Sequence, residues 1–179
     1  MNKDHAALII SITALLFTIF SFWWMNWRRG RLKVSNIRTY AASSAGKKVL
    51  VELPLIFFNT GALPILIENI RLILKYNVKE ELSLHFNATV AKLATDYDRA
   101  WATPFAVHGG KAMEVICEFQ TTNHDFVFAP GDYTLALEAL LGHKKGWRHL
   151  RDFPIRVNDA DSINMNRMLK AYDNRFESV

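Results

Sequence analysis

The side chains in this chain with the greatest capacity for chemistry are six histidines and one cysteine. No two histidines stand at the HxH or HxxxH spacing that would set two imidazoles on one face of a strand or helix, and no histidine belongs to a glutamate-containing zinc motif. A metal centre would therefore need ligands from separate turns, and we expect no metal. The histidines are His5, His85, His108, His124, His143 and His149, and the cysteine is Cys117.

Cys117 lies in an alternating segment that places it on the inward face of a strand. A buried thiol without a neighbouring cation behaves as a small apolar side chain. The sequence also lacks a GxSxG motif, a glycine-rich phosphate loop and a dinucleotide fingerprint. We therefore expect a protein without a cofactor that is not an enzyme, and an enzyme with a metal site built from loops is only the third hypothesis.

The positive charge of the chain is concentrated in one short segment. The 179 residues contain 22 Lys and Arg against 17 Asp and Glu, which gives a net charge of +5. Residues 28–48 hold seven of these bases and no acid, whereas residues 49–179 hold 14 bases and 16 acids. A nucleic-acid binder should carry its basic surface on the folded domain, so we expect no nucleic-acid partner.

An uncharged segment precedes this basic stretch. Residues 6–25 form a run of 20 residues without charge, and a helix of that length spans about 30 Å, the thickness of the hydrocarbon core of a bilayer. The sequence predicts a tail at 1–5 and a transmembrane helix at 6–27, with the lipid bilayer as a partner. Aromatic rings and then arginines follow in the order expected at a membrane interface, namely Trp23, Trp24, Trp27, Arg28, Arg29 and Arg31.

Two other interpretations of this segment compete with a membrane anchor. A cleaved signal peptide requires small residues before the cleavage site, but SFWWMNW stands there. A buried helix of a soluble protein would need a larger host domain than the remaining chain offers. The excess of bases after the helix predicts that the large domain is cytoplasmic, and an outward-facing domain is the alternative.

From about residue 32 the hydrophobic pattern changes to a period of two, which is typical of half-buried strands. Residues 28–48 are predicted as a basic segment that runs into the first strand, and residues 32–158 as one β domain. Short strands separated by turn signals, without helices between them, favour two packed antiparallel sheets. Pro154 cannot donate to a strand ladder, which predicts an edge strand at the end of the domain.

Three segments carry a resemblance to a known fold. VELPLIFFNTGALPILIENIRLIL resembles the opening strands of immunoglobulin-like or fibronectin III-like modules, in which an Asn-x-Gly turn joins two strands. TPFAVHGGKAMEVICEF is similar to a hairpin before an alternating strand, and FAPGDYTLALEAL resembles the segment that a corner tyrosine opens. The resemblance implies a mainly β, two-sheet antiparallel immunoglobulin-like sandwich. It assigns structural roles to Asn59, Gly61 and Tyr133, and the alternating pattern gives Cys117 a structural role in the core.

The last residues return to a helical pattern. An apolar stripe at helical spacing follows possible caps at Asp159, Asp161 or Ser162. We therefore predict a C-terminal amphipathic helix over 159–179 that folds onto the sandwich, with contact to a partner or a membrane surface as the alternatives. The stripe consists of Met165, Met168, Leu169, Tyr172 and Phe176.

The sequence thus predicts a single-pass membrane protein that displays a β domain. An anchor together with a compact domain favours an interaction, scaffolding or assembly role with an unknown protein partner. The alternative is an outward-facing module that binds a small molecule or carbohydrate, because Trp101 and Trp147 would suit stacking on sugars.

Overall fold

The computed structural model describes residues 3–76, 80–95, 98–123 and 125–174. Helix α1 spans Lys3–Asn26, a 3-10 turn spans Ala45–Lys47, and helix α2 spans Asp159–Met165. The fold is mainly β, as predicted. His124 and Phe176, which the sequence analysis singled out, lie outside the described residues. The strands are β1 Leu32–Val34, β2 Thr39–Ser43, β3 Lys48–Asn59, β4 Ile65–Tyr76, β5 Glu80–Val90, β6 Arg99–Trp101, β7 Phe105–Val107, β8 Ala112–Thr122, β9 Gly131–Leu141, β10 Trp147–Val157 and β11 Lys170–Asp173.

The strands form one continuous antiparallel sheet that curls into a half-barrel. Its order is β10-β9-β4-β5-β8-β3-β2-β11, with β1 beside β3, β6 beside β5 and β7 beside β4. The predicted two-sheet sandwich is therefore not confirmed. Strand β10, which contains Pro154, ends the order at one edge.

Strand β5 joins the two predicted sheets into one, because it pairs with a strand of each. Its first half pairs with β4 from Glu80 to His85, and its second half pairs with β8 from His85 to Val90. The register shifts between Phe86 and Ala88, and such a bulge bends a strand and increases its twist. One strand therefore links the two faces of the core through continuous hydrogen bonds.

The core lies inside the curl, between β3 with β8 on one side and β4 with β9 on the other. Strand β3 alternates between buried core residues and half-buried or exposed ones over much of its length, as the period of two requires. The largest buried side chains come from both halves of the sheet, and they include Phe57, Phe119, Ile70, Leu72, Tyr133 and Phe153.

Two predicted connections differ from the structure. Gly109 and Gly110 were expected to join β7 to β8 as a hairpin, but β7 pairs with β4 instead, with Ile65 opposite Val107. Strand β4 pairs with β5 only from Arg71 onward, so its edge at Ile65–Ile67 is open and β7 occupies it. The predicted C-terminal helix is also shorter than 159–179: α2 ends at Met165, and β11 then pairs with β2.

Asn166 explains why the C-terminal helix ends early. Its side-chain oxygen accepts hydrogen bonds from the Phe128 amide at 2.9 Å and the Ser44 hydroxyl at 2.5 Å, and its amide nitrogen donates to the Phe128 carbonyl at 2.9 Å. These bonds hold the helix end against the sheet. The helix begins at Asn158, whose side chain accepts from the Asp161 amide at 2.8 Å, and not at the three predicted caps.

Tyr133 ties the start of β9 to the segment before it. Its hydroxyl accepts a hydrogen bond from the Ala129 amide and donates one to the Ala129 carbonyl, both at 2.9 Å, and its ring stacks on Tyr76 at 4.5 Å between centroids. We expect Tyr133→Phe to lower the free energy of unfolding by about 1–2 kcal/mol, since both backbone groups lose their partner. Chemical denaturation measures the change.

Tyr172→Phe is the matched control for Tyr133→Phe. Among the described residues, the buried Tyr172 hydroxyl has no hydrogen-bond partner, so its removal should not destabilise the protein. Equal losses in the two variants would contradict a structural role for the Tyr133 hydroxyl.

Candidate functional site

The helix–sheet junction is the place where the structure joins its two unlike parts. Helix α1 has a segment, His5–Asn26, that is long and apolar enough to cross a membrane, and none of it is buried against the sheet. Three of its hydroxyl groups, those of Ser11, Thr13 and Thr18, each donate to the carbonyl four residues earlier at 2.9 Å. A helix in hydrocarbon requires such internal partners.

The end of α1 carries an aromatic cluster. Phe20 contacts Trp23 and Trp24, with ring centroids 6.1 and 5.9 Å apart, and Phe22 meets Trp27 edge-on at 5.7 Å. All three tryptophans of this cluster are exposed. Amphipathic rings at one end of an apolar helix are typical of the headgroup region of a bilayer.

Residues 28–31 pack against the turn that joins β3 to β4. The Ala62 amide donates to the Arg28 carbonyl at 2.8 Å, and the Thr60 amide donates to the Arg31 carbonyl at 3.2 Å. The Arg31 amide donates to the Thr60 hydroxyl oxygen at 2.9 Å. The segment that leaves the helix is therefore hydrogen bonded to the sheet domain and is not a free linker.

The arginines of this segment differ in their surroundings. The Arg28 guanidinium lies 4.4 Å from the centre of a Trp24 ring and also donates to the Thr60 carbonyl, so it connects the helix to the turn. Arg29 and Arg31 are exposed. The structure thus brings together the aromatic and basic residues that were predicted for a membrane interface.

Two glycines allow the close approach at this junction. A Cβ atom on Gly30 would overlap the backbone nitrogen of Gly61, and a Cβ on Gly61 would overlap that of Gly30. The backbones meet there without room for a side chain. Gly61, which was singled out from an Asn-x-Gly pattern, is thus required by the contact with residues 28–31.

Asn59 holds the turn from inside. Its side chain is fully buried and donates to the carbonyls of Leu63 at 2.8 Å and Val107 at 3.0 Å, while its oxygen accepts from the Gly61 amide at 2.9 Å. One amide side chain thereby joins the turn to β7. The position of the junction depends on this buried set of hydrogen bonds.

A second buried polar cluster was missed by the sequence analysis. Glu52 and Glu118 are directly opposed on β3 and β8, and both are fully buried. Glu118 accepts from Asn87 Nδ2 at 2.9 Å and forms an ion pair with Arg99. Glu52 accepts from the Ala94 amide at 2.7 Å. The two carboxylates thus connect Ala94 and Arg99 to the outer face of the sheet.

Cys117 faces the core on β8, where it lies opposite Leu53 and is fully buried. Burial raises the pKa of its thiol, which leaves the group protonated and poorly nucleophilic at neutral pH. We predict that folded protein resists a maleimide reagent, whereas protein unfolded in denaturant is labelled within minutes. Rapid labelling of the folded chain would contradict this environment.

The described histidines do not assemble into a metal site. His85, His108 and His143 are exposed, and His149 lies 3.6 Å from the Asp152 carboxylate. No group of three His, Cys, Asp or Glu side chains within the described ranges could hold a metal ion. A cleft of about 250 Å³ lies beside the junction and includes Arg29 and His143 in its lining.

Comparisons with known proteins name no family for this chain. No family model matches it, and no curated protein matches it. Among solved structures, the chain is similar to a crystal structure of a protein from Archaeoglobus fulgidus, with 6% identity and a TM-score of 0.41 over 80% of this chain and 99% of the other.

Proposed function

We propose that the protein is a single-pass membrane protein whose β domain is held close to the bilayer and serves in interaction, scaffolding or assembly, without catalysis. The observation that carries the proposal is the hydrogen-bonded junction. The apolar helix extends away from the domain, and none of it is buried. Residues 28–31 are hydrogen bonded to the turn at 60–62. A domain attached in this way stays close to the membrane surface with a restricted orientation, which suits the display of a binding surface.

The charge around the helix supports a cytoplasmic domain. Residues 28–48 contain seven bases, whereas residues 1–5 carry only the opposite charges of Lys3 and Asp4, and such a bias favours the basic side as the cytoplasmic one. Met168 is 57% exposed on the domain, which makes Met168→Cys a suitable reporter. An impermeant maleimide should label it only after the cells are permeabilised, and labelling in intact cells would overturn this orientation.

Alkaline carbonate extraction tests the anchor itself. The full chain should stay with the membrane pellet, because its apolar helix is dissolved in lipid. The matched variant replaces Leu15 and Leu16 by arginine at the middle of α1, which costs about 3 kcal/mol for each residue inserted. That variant should be released, whereas release of the wild-type chain would contradict the proposal.

The interaction role requires a protein partner. A protein that co-purifies in fixed stoichiometry from solubilised membranes would support it, with an unrelated helix-anchored protein as the control. A chain that purifies alone at every detergent concentration would contradict it.

One observation favours the second candidate, an outward module that binds carbohydrate. The Trp101 side chain is 81% exposed on β6, and sugars stack on such rings. This role requires an outward domain, so the Met168→Cys experiment discriminates between the two functions.

A further inference from the structure

The end of the domain that carries the helix also carries the hairpin loop between β9 and β10. The Gly142 amide donates to the Leu66 carbonyl at 3.1 Å, which places the loop beside the start of β4. Arg29 and His143 line one cleft, so the loop lies next to the segment that leaves α1. The chain leaves α1 at this end of the domain, where residues 28–31 bond to the turn at 60–62, so this end lies nearest the surface that the helix enters.

The loop places two bases at its tip. Its sequence is Gly-His-Lys-Lys-Gly over residues 142–146, and the side chains of Lys144 and Lys145 are exposed. Neither lysine forms an ion pair with any acid in the described part of the chain. The exposed acid beside the loop is Glu68, whose carboxylate would lie 3.3 Å from a Cβ on Gly142.

The base of the hairpin is held firmly. The Lys144 amide donates to the Leu141 carbonyl at 2.9 Å. The Arg71 guanidinium lies 4.4 Å from the centre of the Trp147 ring and is also paired with Glu138 at 2.6 Å. The lysines are therefore presented in a preformed position on the same end as Arg29.

We propose that the loop 142–146, together with Arg29, binds the anionic headgroups of the bilayer that α1 spans, so that the domain contacts the lipid surface at a second point. The inference rests on the proposed membrane anchor. A base near an anionic membrane surface gains about 1 kcal/mol, which corresponds to about a fivefold change in the ratio of docked to undocked domain for each lysine. A second contact with the bilayer limits the tilt of the domain relative to the membrane surface.

The test uses the full chain in lipid nanodiscs, with a nitroxide on His143→Cys; the buried Cys117 is not a labelling site. Discs of phosphatidylcholine and discs with added phosphatidylglycerol both contain a nickel-chelating headgroup lipid that broadens a nearby nitroxide signal. The anionic discs should broaden the signal strongly. Lys144→Glu with Lys145→Glu should reduce the ratio of docked to undocked domain at least 25-fold, at about fivefold for each lysine.

The matched control is Lys48→Glu with Lys170→Glu, which has the same net charge. Strand β3 begins at Lys48 and ends at Asn59 beside the junction, so Lys48 lies at the end of the strand that is far from the helix. Lys170 pairs with Ala42, and both lysines are exposed. This control should dock like the wild type. Signal broadening that is the same in neutral and anionic discs, and the same with and without the two lysines, would overturn the inference but not the proposed membrane anchor. A chain that never enters the discs would overturn the proposed anchor, and the inference with it.

Discussion

Replacing Arg99 by methionine should lower the free energy of unfolding by about 2–3 kcal/mol, because it leaves the buried Glu118 carboxylate without its cation. The side chain of Glu118 is fully buried, and that of Arg99 is 38% exposed. The partial exposure of Arg99 allows water to screen the pair and places the loss toward the lower end for a broken buried ion pair. Urea denaturation of the full chain in detergent measures it.

A double-mutant cycle separates the ion pair from general damage to the loop. In a Glu118→Gln background the charge is gone, while Asn87 keeps an acceptor, so Arg99→Met should cost much less there. The matched control is Arg156→Met, which removes a bidentate partner from the exposed Asp132 and should leave the denaturation midpoint unchanged. Equal losses in both backgrounds would show that Arg99 does not act through Glu118.

Asn59→Ala should cause a still larger loss, about 3–5 kcal/mol, since it leaves three buried backbone groups without their partner. The Leu63 and Val107 carbonyls lose a donor, and the Gly61 amide loses an acceptor. The same variant should loosen the attachment of residues 28–31, because Gly61 and Ala62 are held in place by this turn. Thermal denaturation measures the loss of stability. Cleavage by trypsin after Arg28, Arg29 or Arg31 measures the loosening of the attachment.

Asn123→Ala is the control for that prediction. The Asn123 side chain accepts one exposed hydrogen bond from the Asp125 amide at 3.1 Å, so its loss should stay within about 0.5 kcal/mol. A loss in Asn59→Ala as small as that in Asn123→Ala would mean that the turn does not depend on the buried amide.

The mainly β fold and the apolar helix were predictable because each follows from local patterns. A period of two over β8 and β9 specifies which face is inward, and 20 uncharged residues specify a helix of membrane length. The number of sheets was not predictable in this way. It depends on β5 changing its partner near His85. The periodicity of a strand shows which side chains are buried, but it does not show which distant strand it pairs with.

The buried carboxylates show a similar limit. The alternating pattern places Cys117 and Glu118 on opposite faces of the sheet, which is correct. The face that carries Glu118 would be exposed if only water lay beside it. Here Ala94 and Arg99 contact the two carboxylates, which are fully buried. The available signal was Glu52, a lone acid within the apolar run VLVELPLIFF, because an acid in a strand buried on both faces needs hydrogen-bond partners.

The junction was partly predictable. The order of apolar run, tryptophans and arginines indicated an interface, and Asn59 and Gly61 marked a turn. What the sequence does not contain is that these two features touch. The contact between Gly30 and Gly61 joins residues 31 positions apart, and glycine at both positions is visible in the sequence only as two ordinary turn residues.

Amide hydrogen exchange of the full chain in lipid nanodiscs tests most directly whether the membrane helix is fixed to the sheet domain. The Ala62 and Arg31 amides both donate hydrogen bonds across the junction, so they should exchange far more slowly than unprotected amides, together with the amides of α1. Exchange of Ala62 and Arg31 at the rate of an unstructured peptide, with α1 still protected, would show that helix and domain are joined only by a loose tether.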